Sequence, residues 1–396
     1  MQKPLINDKA IFFSGLAYFV IMLSFIGMRL IVGTGWLGSV DSNLTDYIFT
    51  FIVQVGLLIG IPLLFMRVFT KQKTKSIFKH NSFRPINAKM VLLSVLLGLC
   101  TYVLITFVST FWYGLLTIFG YSSGATSATT SATNMPWLDL ILGFIFVGVL
   151  PGFCEEFSHR GMVLGNIKKD GAIRAILLSS LLFGLMHLSI VQVGYAFVVG
   201  LVLGSITLLT RSIYPAMIVH CVSNSVNTYL SYASDNGWWG GNWHSVVSNF
   251  IANNSVMFLY IVNAVILLML ILLMAYIILN LFKQSKLNDF YVFKRKLIKG
   301  LKSGDYGDQI DINDNKQIFM LYQEAQLHNI HKKLENTSLT PAQIAQNINK
   351  SNVLSIMFDE DVTKKQKINY LDYIFYYCSI ILGSIVTIMT FIWGII

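Results

Sequence analysis

The sequence predicts an all-α polytopic membrane protein, with about eight helices in a core bundle, a small helical cytoplasmic appendage and one further C-terminal transmembrane helix. Three observations predict it. Of 396 residues, 55% are apolar and only 12% charged, against about a quarter charged in soluble domains. The mean hydropathy is +0.63. The apolar residues form continuous runs rather than strict alternation, so backbone hydrogen bonds are satisfied within helices rather than around a barrel. This composition excludes a single soluble globule, a disordered chain and a disulfide-stapled secreted domain.

A spanning helix needs about 20 apolar residues at about 1.5 Å rise each. Nine runs meet or approach this length, near 11–32, 46–66, 90–119, 137–158, 175–194, 195–210, 213–232, 255–282 and 371–394. The pair 175–194 and 195–210 shares a short connection, and its second member is barely long enough. The first run follows Lys3 and Lys9 and exceeds the h-region of a cleaved leader, with no clear cleavage site, so it reads as a retained helix.

Charge orients the bundle. Loop 67–89 holds Arg67, Lys71, Lys73, Lys75, Lys79, Arg84 and Lys89 and no acid. Lys168, Lys169 and Arg174 follow the fourth run, and 283–369 holds 14 Lys/Arg against 10 Asp/Glu. Segments 33–45, 120–136 and 233–254 hold neither Lys nor Arg. With nine spans and a cytoplasmic N-terminus, every basic segment falls on the cytoplasmic side of a cell membrane, and the formal charge of +10 needs no nucleic-acid partner. Arg29 is the exception, near the outer end of the first run, where it is expected to snorkel. Cys100, Cys154, Cys221 and Cys378 lie in or beside the spans without a Cys-x-x-Cys pair and are expected to be free, buried thiols.

Outside the spans, 120–136 is small and hydroxyl-rich, a surface loop. The stretch Asn236 to Trp243 sets three Trp beside Gly, the composition of an interface anchor. Asn288 to Lys302 is basic and amphipathic, suited to an anionic leaflet. Asn315 to Glu335 reads as a helix, and Thr340-Pro341 as a helix start. His328 and His331 lie at i, i+3 without a carboxylate or Cys to complete a metal set. The chain divides into N-terminal helices and a basic loop (1–89), a core (90–232), an outer loop and eighth helix (233–282), the appendage (283–369) and a last helix (370–396).

Ionisable groups at membrane depth cost about 2.5–3.5 kcal/mol each on insertion scales and are functional candidates by default. They form three sets. Cys154-Glu155-Glu156-Phe157-Ser158-His159-Arg160-Gly161 closes the fourth span. Glu156 shares a helix face with Arg160 at i, i+4. Glu155 points about 100° away without that partner, a split suited to general-base work by Glu155. The competing reading is a charged helix end at the interface. Phe183-Gly184-Leu185-Met186-His187 places His187 about 12 residues into the fifth span, about 18 Å deep. His220 and Asn224 share a face of the seventh span, about 10 and 16 Å deep. Helix–helix gluing is the alternative for that pair. A carboxylate, two imidazoles and an amide together can activate water and hold an oxyanion.

The order Glu-Glu-x-x-x-Arg, Phe-x-x-x-His, His-x-x-x-Asn in separate membrane helices resembles the CPBP intramembrane glutamic endopeptidases, which include CAAX-processing proteases and bacteriocin-processing or immunity (Abi-type) proteins. The resemblance covers about 137–232, extended to 90. It implies Glu155 as water-activating base, His187 assisting, and His220 with Asn224 as oxyanion hole. Glu156, Arg160 and Phe183 are then supporting residues. It implies a membrane-associated peptide or protein substrate and no cofactor. Zinc at Glu155, His187 and His220 is the nearest rival chemistry, but no His-Glu-x-x-His helix is present. Serine chemistry at Ser223 or Ser225 lacks a Gly-x-Ser-x-Gly elbow, and Cys221 points away from the face of His220. A transporter reading lacks paired broken helices. The alternative of a different class is a non-catalytic scaffold docking a protein partner through 283–369.

Overall fold

The computed structural model describes residues 9–33, 42–71, 73, 74, 77, 78, 82–122, 135–243, 246, 249, 253, 256–302, 314, 317–325 and 369–395. Among these there is helix and no strand. The helices are α1 (Ala10–Gly33), α2 (42–69), α3 (Ala88–Ile118), α4 (Pro136–Ile167), α5 (Ala172–Met186), α6 (Ile190–Thr210), α7 (Tyr214–Asn236), α8 (Val256–Lys302) and α9 (Ile374–Trp393). A further short helix covers 317–325. His328, His331 and Thr340-Pro341, with most of the expected appendage, lie outside the described residues.

Local chemistry explains the ends. Asn87 caps α3, its side chain accepting from Met90 N at 2.9 Å. Pro136 and Pro215 sit at the starts of α4 and α7, where a missing N–H costs nothing. Gly237 closes α7 in the left-handed region, φ +65°. Ser94 and Thr207, inside apolar helices, bond back one turn to Met90 O and Leu203 O, so these two hydroxyls carry no unmet donor. Two helices widen to π-helical turns, α2 over Ile52–Gly60 and α4 over Phe144–Val149 and Phe157–Leu164.

Seven helices are long and apolar enough to cross a membrane: α1, α2, α3, α4, α6, α8 and α9. The nine expected spans are corrected at two points. The helix expected over 175–194 ends at Met186 and has only 15 residues. The helix α7 is long enough, but His220, Ser223, Asn224, Ser225 and Asn227 lower its hydropathy below that of a free-standing span. Both are sheltered by protein, which is where short or polar segments are tolerated at depth. Two expected ends also move. The fourth helix runs on to Ile167, so Glu155 lies well inside it rather than at its close. The eighth continues without a break to Lys302, absorbing the amphipathic stretch.

The hairpin of α5 and α6 packs at the centre. One side of it meets α9, which also lies on α1, while α7 lies against α3 and α4. Leu58, Leu97, Phe183, Leu203, Val219 and Leu270 belong to the main buried cluster, which draws on α1 to α8. On α8, Leu268, Leu272 and Leu279 face outward, as lipid-facing side chains do.

One end of the bundle is polar. Ile213 N donates to Ser82 O (3.0 Å), Ser212 Oγ to Arg84 O (2.6 Å) and Asn288 Nδ2 to Pro85 O (2.9 Å). Arg84 and Arg211 flank Asp289 at 4.0 and 3.5 Å. Lys168 lies beside them, and burial together with Arg84 pushes its ammonium pKa down to about 8. The opposite end is aromatic: Trp137 stacks on Trp238 at 4.2 Å and Tyr121 on Phe391 at 6.0 Å. The basic segments that the structure describes thus meet at one end, the arrangement that the loop charges predict.

Cys154 is buried, while Cys100, Cys221 and Cys378 are only half-buried. All four are free.

Candidate active site

The site forms where α4, α5 and α7 meet, with contributions from α1 and α2. Close approach of α4 and α7 comes first. Gly148 and Gly152 on α4 face Ser225 and Cys221 on α7, and a Cβ at Gly152 would lie 2.3 Å from Cys221 Sγ. Small residues let membrane helices touch backbone to backbone. That contact brings His220 down onto the two carboxylates one turn further along α4.

The two carboxylates are held differently. Glu156 and Arg160 are fully buried, with Oε2 3.1 Å from Nε. The other oxygen, Oε1, accepts Nδ1–H of His220 at 2.9 Å. Arg160 also reaches Gly200 O at 3.4 Å and lies 4.5 Å above the Phe183 ring. Glu155 stands apart from that pair, slightly exposed at 8%. Its Oε1 accepts from Gln54 Nε2 at 2.9 Å, and its Oε2 is 3.9 Å from His220 Nε2. Adjacent carboxylates on one turn are thus separated in surroundings: one locked by a cation and an imidazole, the other held by a neutral amide at the edge of the site.

His187 is not inside a helix, as its spacing suggests. It caps the C-terminus of α5, with Leu188 after it in the left-handed region at φ +49°. Its Nδ1–H donates to Phe183 O at 2.9 Å, which leaves Nε2 as the free ring nitrogen. The His187 ring meets Phe183 edge-on at 5.3 Å, and the His220 ring meets the same Phe183 at 5.7 Å. Asn224 lies one turn along α7 from His220, with one amide hydrogen donated to Val147 O at 3.0 Å. That carbonyl lies in the first π-helical stretch of α4.

Three further residues join the site that motif reading passes over. Gln54 is the lone amide in an apolar stretch of α2 and is buried. His159, fully buried, has Nδ1 2.9 Å from the Glu155 carbonyl, to which it donates, and Nε2 3.0 Å from Tyr18 Oη. The Tyr18 hydroxyl donates to Leu182 O at 2.8 Å and so links α1, α4 and α5 behind Glu155. A polar side chain alone in an apolar run is the signal common to Gln54, Tyr18 and His159. Arg29, expected to snorkel, instead donates Nη1–H to Leu188 O at 2.6 Å.

Among the described residues, no three His, Cys, Asp or Glu side chains are grouped in a way that could hold a metal ion. The structure brings Glu155, Glu156, Arg160 and His220 together and sets His187 and His220 against one Phe183 ring, with Asn224 one turn further along α7.

Residues 137–226 match the family model described as type II CAAX prenyl endopeptidase Rce1-like, consistent with the CPBP and CAAX protease family. Neither the curated proteins nor the solved structures gave a significant match. The matching stretch is the one that supplies Glu155, Glu156, Arg160, His187, His220 and Asn224, and it is set within a multi-pass membrane protein.

Proposed function

We propose that this chain is an intramembrane endopeptidase that hydrolyses peptide bonds of a membrane-associated peptide or protein with Glu155 as its general base. The observation that carries this reading is the split between the carboxylates. Glu156 is committed to Arg160 and His220, whereas Glu155 has only a neutral amide at one oxygen and the edge of His220 near the other. Glu155 is the one left to take a proton.

In this mechanism a water held between Glu155 and Nε2 of His187 attacks the scissile carbonyl carbon as Glu155 accepts its proton. The carbonyl oxygen becomes an oxyanion, stabilised by Nε2–H of His220 and the remaining amide hydrogen of Asn224. Collapse breaks the C–N bond, Glu155 returns the proton to the leaving amine, and a carboxylic acid and an amine result. Glu156 and Arg160 hold His220 and the α4 turn in place. The catalytic core is residues 90–232, and the substrate enters from the basic, cytoplasmic end of a cell membrane. The Rce1-like domain supports a substrate with the chemistry of a prenylated C-terminal CAAX peptide.

Two experiments test the chemistry and a third tests the side of entry. One compares membrane and medium proteomes of cells expressing wild type or Glu155→Gln at matched levels. A new peptide terminus present only with wild type supports proteolysis. A null-strain phenotype still rescued by Glu155→Gln refutes it and favours a scaffold acting through 283–369. The other incubates purified protein with a fluorogenic peptide ending in a farnesylated Cys-aliphatic-aliphatic-Xaa sequence. Cleavage by wild type that is lost in Glu155→Gln and His187→Ala is expected. Site-directed labelling that opens Glu155 to the outer face sinks the inner-side entry.

A further inference from the structure

The loop that carries His187 is only three residues long, 187–189, and joins α5 to α6 inside the bundle. The N–H groups of His187 and Leu188 bond back to Gly184 O and Leu185 O, and Ser189 O accepts from Gln192 and Val193 N, so Leu188 O and the Ile190 peptide are the groups that reach partners outside the loop, at a depth where water is scarce. Leu188 adopts a left-handed conformation, which is unfavourable for a residue with a branched side chain on Cβ's neighbour and no glycine freedom. Something outside the loop must hold it there.

Three side chains from three other helices do so. Arg29 of α1 donates to Leu188 O at 2.6 Å. Trp112 of α3 donates its indole N–H to Ile190 O at 2.6 Å. Thr390 of α9 accepts from Ile190 N at 2.9 Å, its own hydroxyl proton being donated to Thr387 O at 2.7 Å. Each contact looks built. Arg29 is the only charged residue in α1. Gly194 leaves room for the Trp112 indole, since a Cβ there would lie 2.6 Å from the ring. Gly383 lets α9 press onto α5, since its Cβ would lie 3.0 Å from both Leu185 Cβ and Met22 Cε.

None of the three residues lies in 137–226, the stretch that matches the Rce1-like family. We propose that Arg29, Trp112 and Thr390 are positioning residues for His187, so that the working catalytic unit includes α1, α3 and α9 as well as the Rce1-like domain. The inference rests on the catalytic reading above. The reasoning is geometric. The ring of His187 is tied back to Phe183 O, so its Nε2 points where the end of α5 and the loop put it. A displacement of about 1 Å at a catalytic group can lower turnover about 100-fold.

The test uses the full chain in detergent or nanodiscs, with Arg29→Gln, Arg29→Lys, Thr390→Val and Thr390→Ser. Turnover is measured on the farnesylated peptide, and hydrogen exchange is measured on peptides covering 184–192. Arg29→Gln and Thr390→Val are expected to lower kcat about 10- to 100-fold with KM within about threefold, and to raise exchange at 188–190 alone. Thr390→Ser keeps the acceptor and is expected to restore most of the turnover. Arg29→Lys keeps one donor and is expected to restore part of it. A purely structural role predicts instead a loss of folded protein with normal kcat for what remains. The proposal is overturned if Arg29→Gln and Thr390→Val leave kcat within twofold, or if exchange at 188–190 is unchanged in both. If Arg29→Gln fails to insert, the isosteric Thr390→Val decides. If Glu155→Gln and His187→Ala retain turnover, the catalytic reading fails, and hydrogen exchange still judges whether the loop is clamped.

Discussion

Replacing Gly152 by Ala should damage the site more than the same change at Gly148 or Gly143, although all three glycines sit on the face of α4 that meets α7. At Gly152 the new methyl would lie 2.3 Å from Cys221 Sγ, 3.0 Å from Cys221 N and 3.2 Å from its Cα. Ordinary contacts are about 3.5–4.0 Å, and two of these three atoms are backbone, so α7 itself must retreat. Forced overpacking costs about 1–3 kcal/mol. The retreat also stretches the 2.9 Å bond from His220 Nδ1 to Glu156 Oε1, and a buried partner left unmet costs about 1–3 kcal/mol more. At Gly148 the nearest atom is Ser225 Oγ at 2.5 Å, the tip of a rotatable side chain, and the next is at 3.6 Å, so a rotamer change relieves it. Gly143 is intermediate, with Thr228 Cγ2 at 2.8 Å and Tyr232 Cε2 at 3.3 Å. The expected order of lost turnover is Gly152, then Gly143, then Gly148, read by cleavage of the farnesylated peptide alongside thermal unfolding in detergent. Adding Cys221→Ala to Gly152→Ala should recover only part of the loss, because the contacts to backbone remain. Gly152→Ala with turnover within twofold of wild type, or Gly148→Ala more harmful than Gly152→Ala, refutes the claim that this helix contact sets His220.

Glu156→Gln and Arg160→Met should each lower stability by about 3–5 kcal/mol, because the partner charge is left buried and unpaired. The double variant should lose less than the sum, and additive losses in denaturant titrations count against the pair. Gln54→Leu removes the donor to Glu155 Oε1 and should lower turnover about 10-fold with unchanged melting temperature, so a wild-type rate argues against a role for Gln54. Lys168 binds its proton less tightly when folded, at about 8 against an ordinary 10.5. The unfolded chain therefore holds more protons between those values, and stability should rise as pH climbs from about 8 to 10.5. Unfolding at a series of pH values should show a smaller rise in Lys168→Met; the same slope in both proteins contradicts the burial of that ammonium.

The parts of this molecule that show in its sequence are those set by local pattern. Apolar run length gives the long helices, and i, i+4 spacing gives the contact between Glu156 and Arg160. The end of α5 does not show. The run from 175 to 210 has no Pro or Gly at 187–189 to announce a break, and the side chains that bond to Leu188 O and the Ile190 peptide there come from distant positions in the chain. The π-helical turns of α4 are equally silent in sequence, yet they change which residues face α7. Gln54 and Tyr18 lie 101 and 141 residues from their partners Glu155 and His159. Each reads alone as an incidental polar residue in an apolar helix, and only the packing of α1 and α2 onto α4 gives it a partner.

Phe183 gathers these elements into one argument. It is the first residue of the Phe-x-x-x-His pattern and carries no chemistry of its own. Its ring meets His159 at 5.0 Å, His187 at 5.3 Å and His220 at 5.7 Å, each within 7° of perpendicular, with the Arg160 guanidinium at 4.5 Å. Edge-to-face packing lets the ring quadrupole hold several imidazoles at fixed angles without taking a hydrogen bond from any of them. The cation near its face adds an attraction that a Leu of similar size cannot supply. Nε2 of His159, both nitrogens of His220 and Nε2 of His187 stay available for Tyr18, the two carboxylates or a substrate. Between two carboxylates, three imidazoles and a guanidinium, an apolar ring fixes distances where a polar residue would compete for the donors.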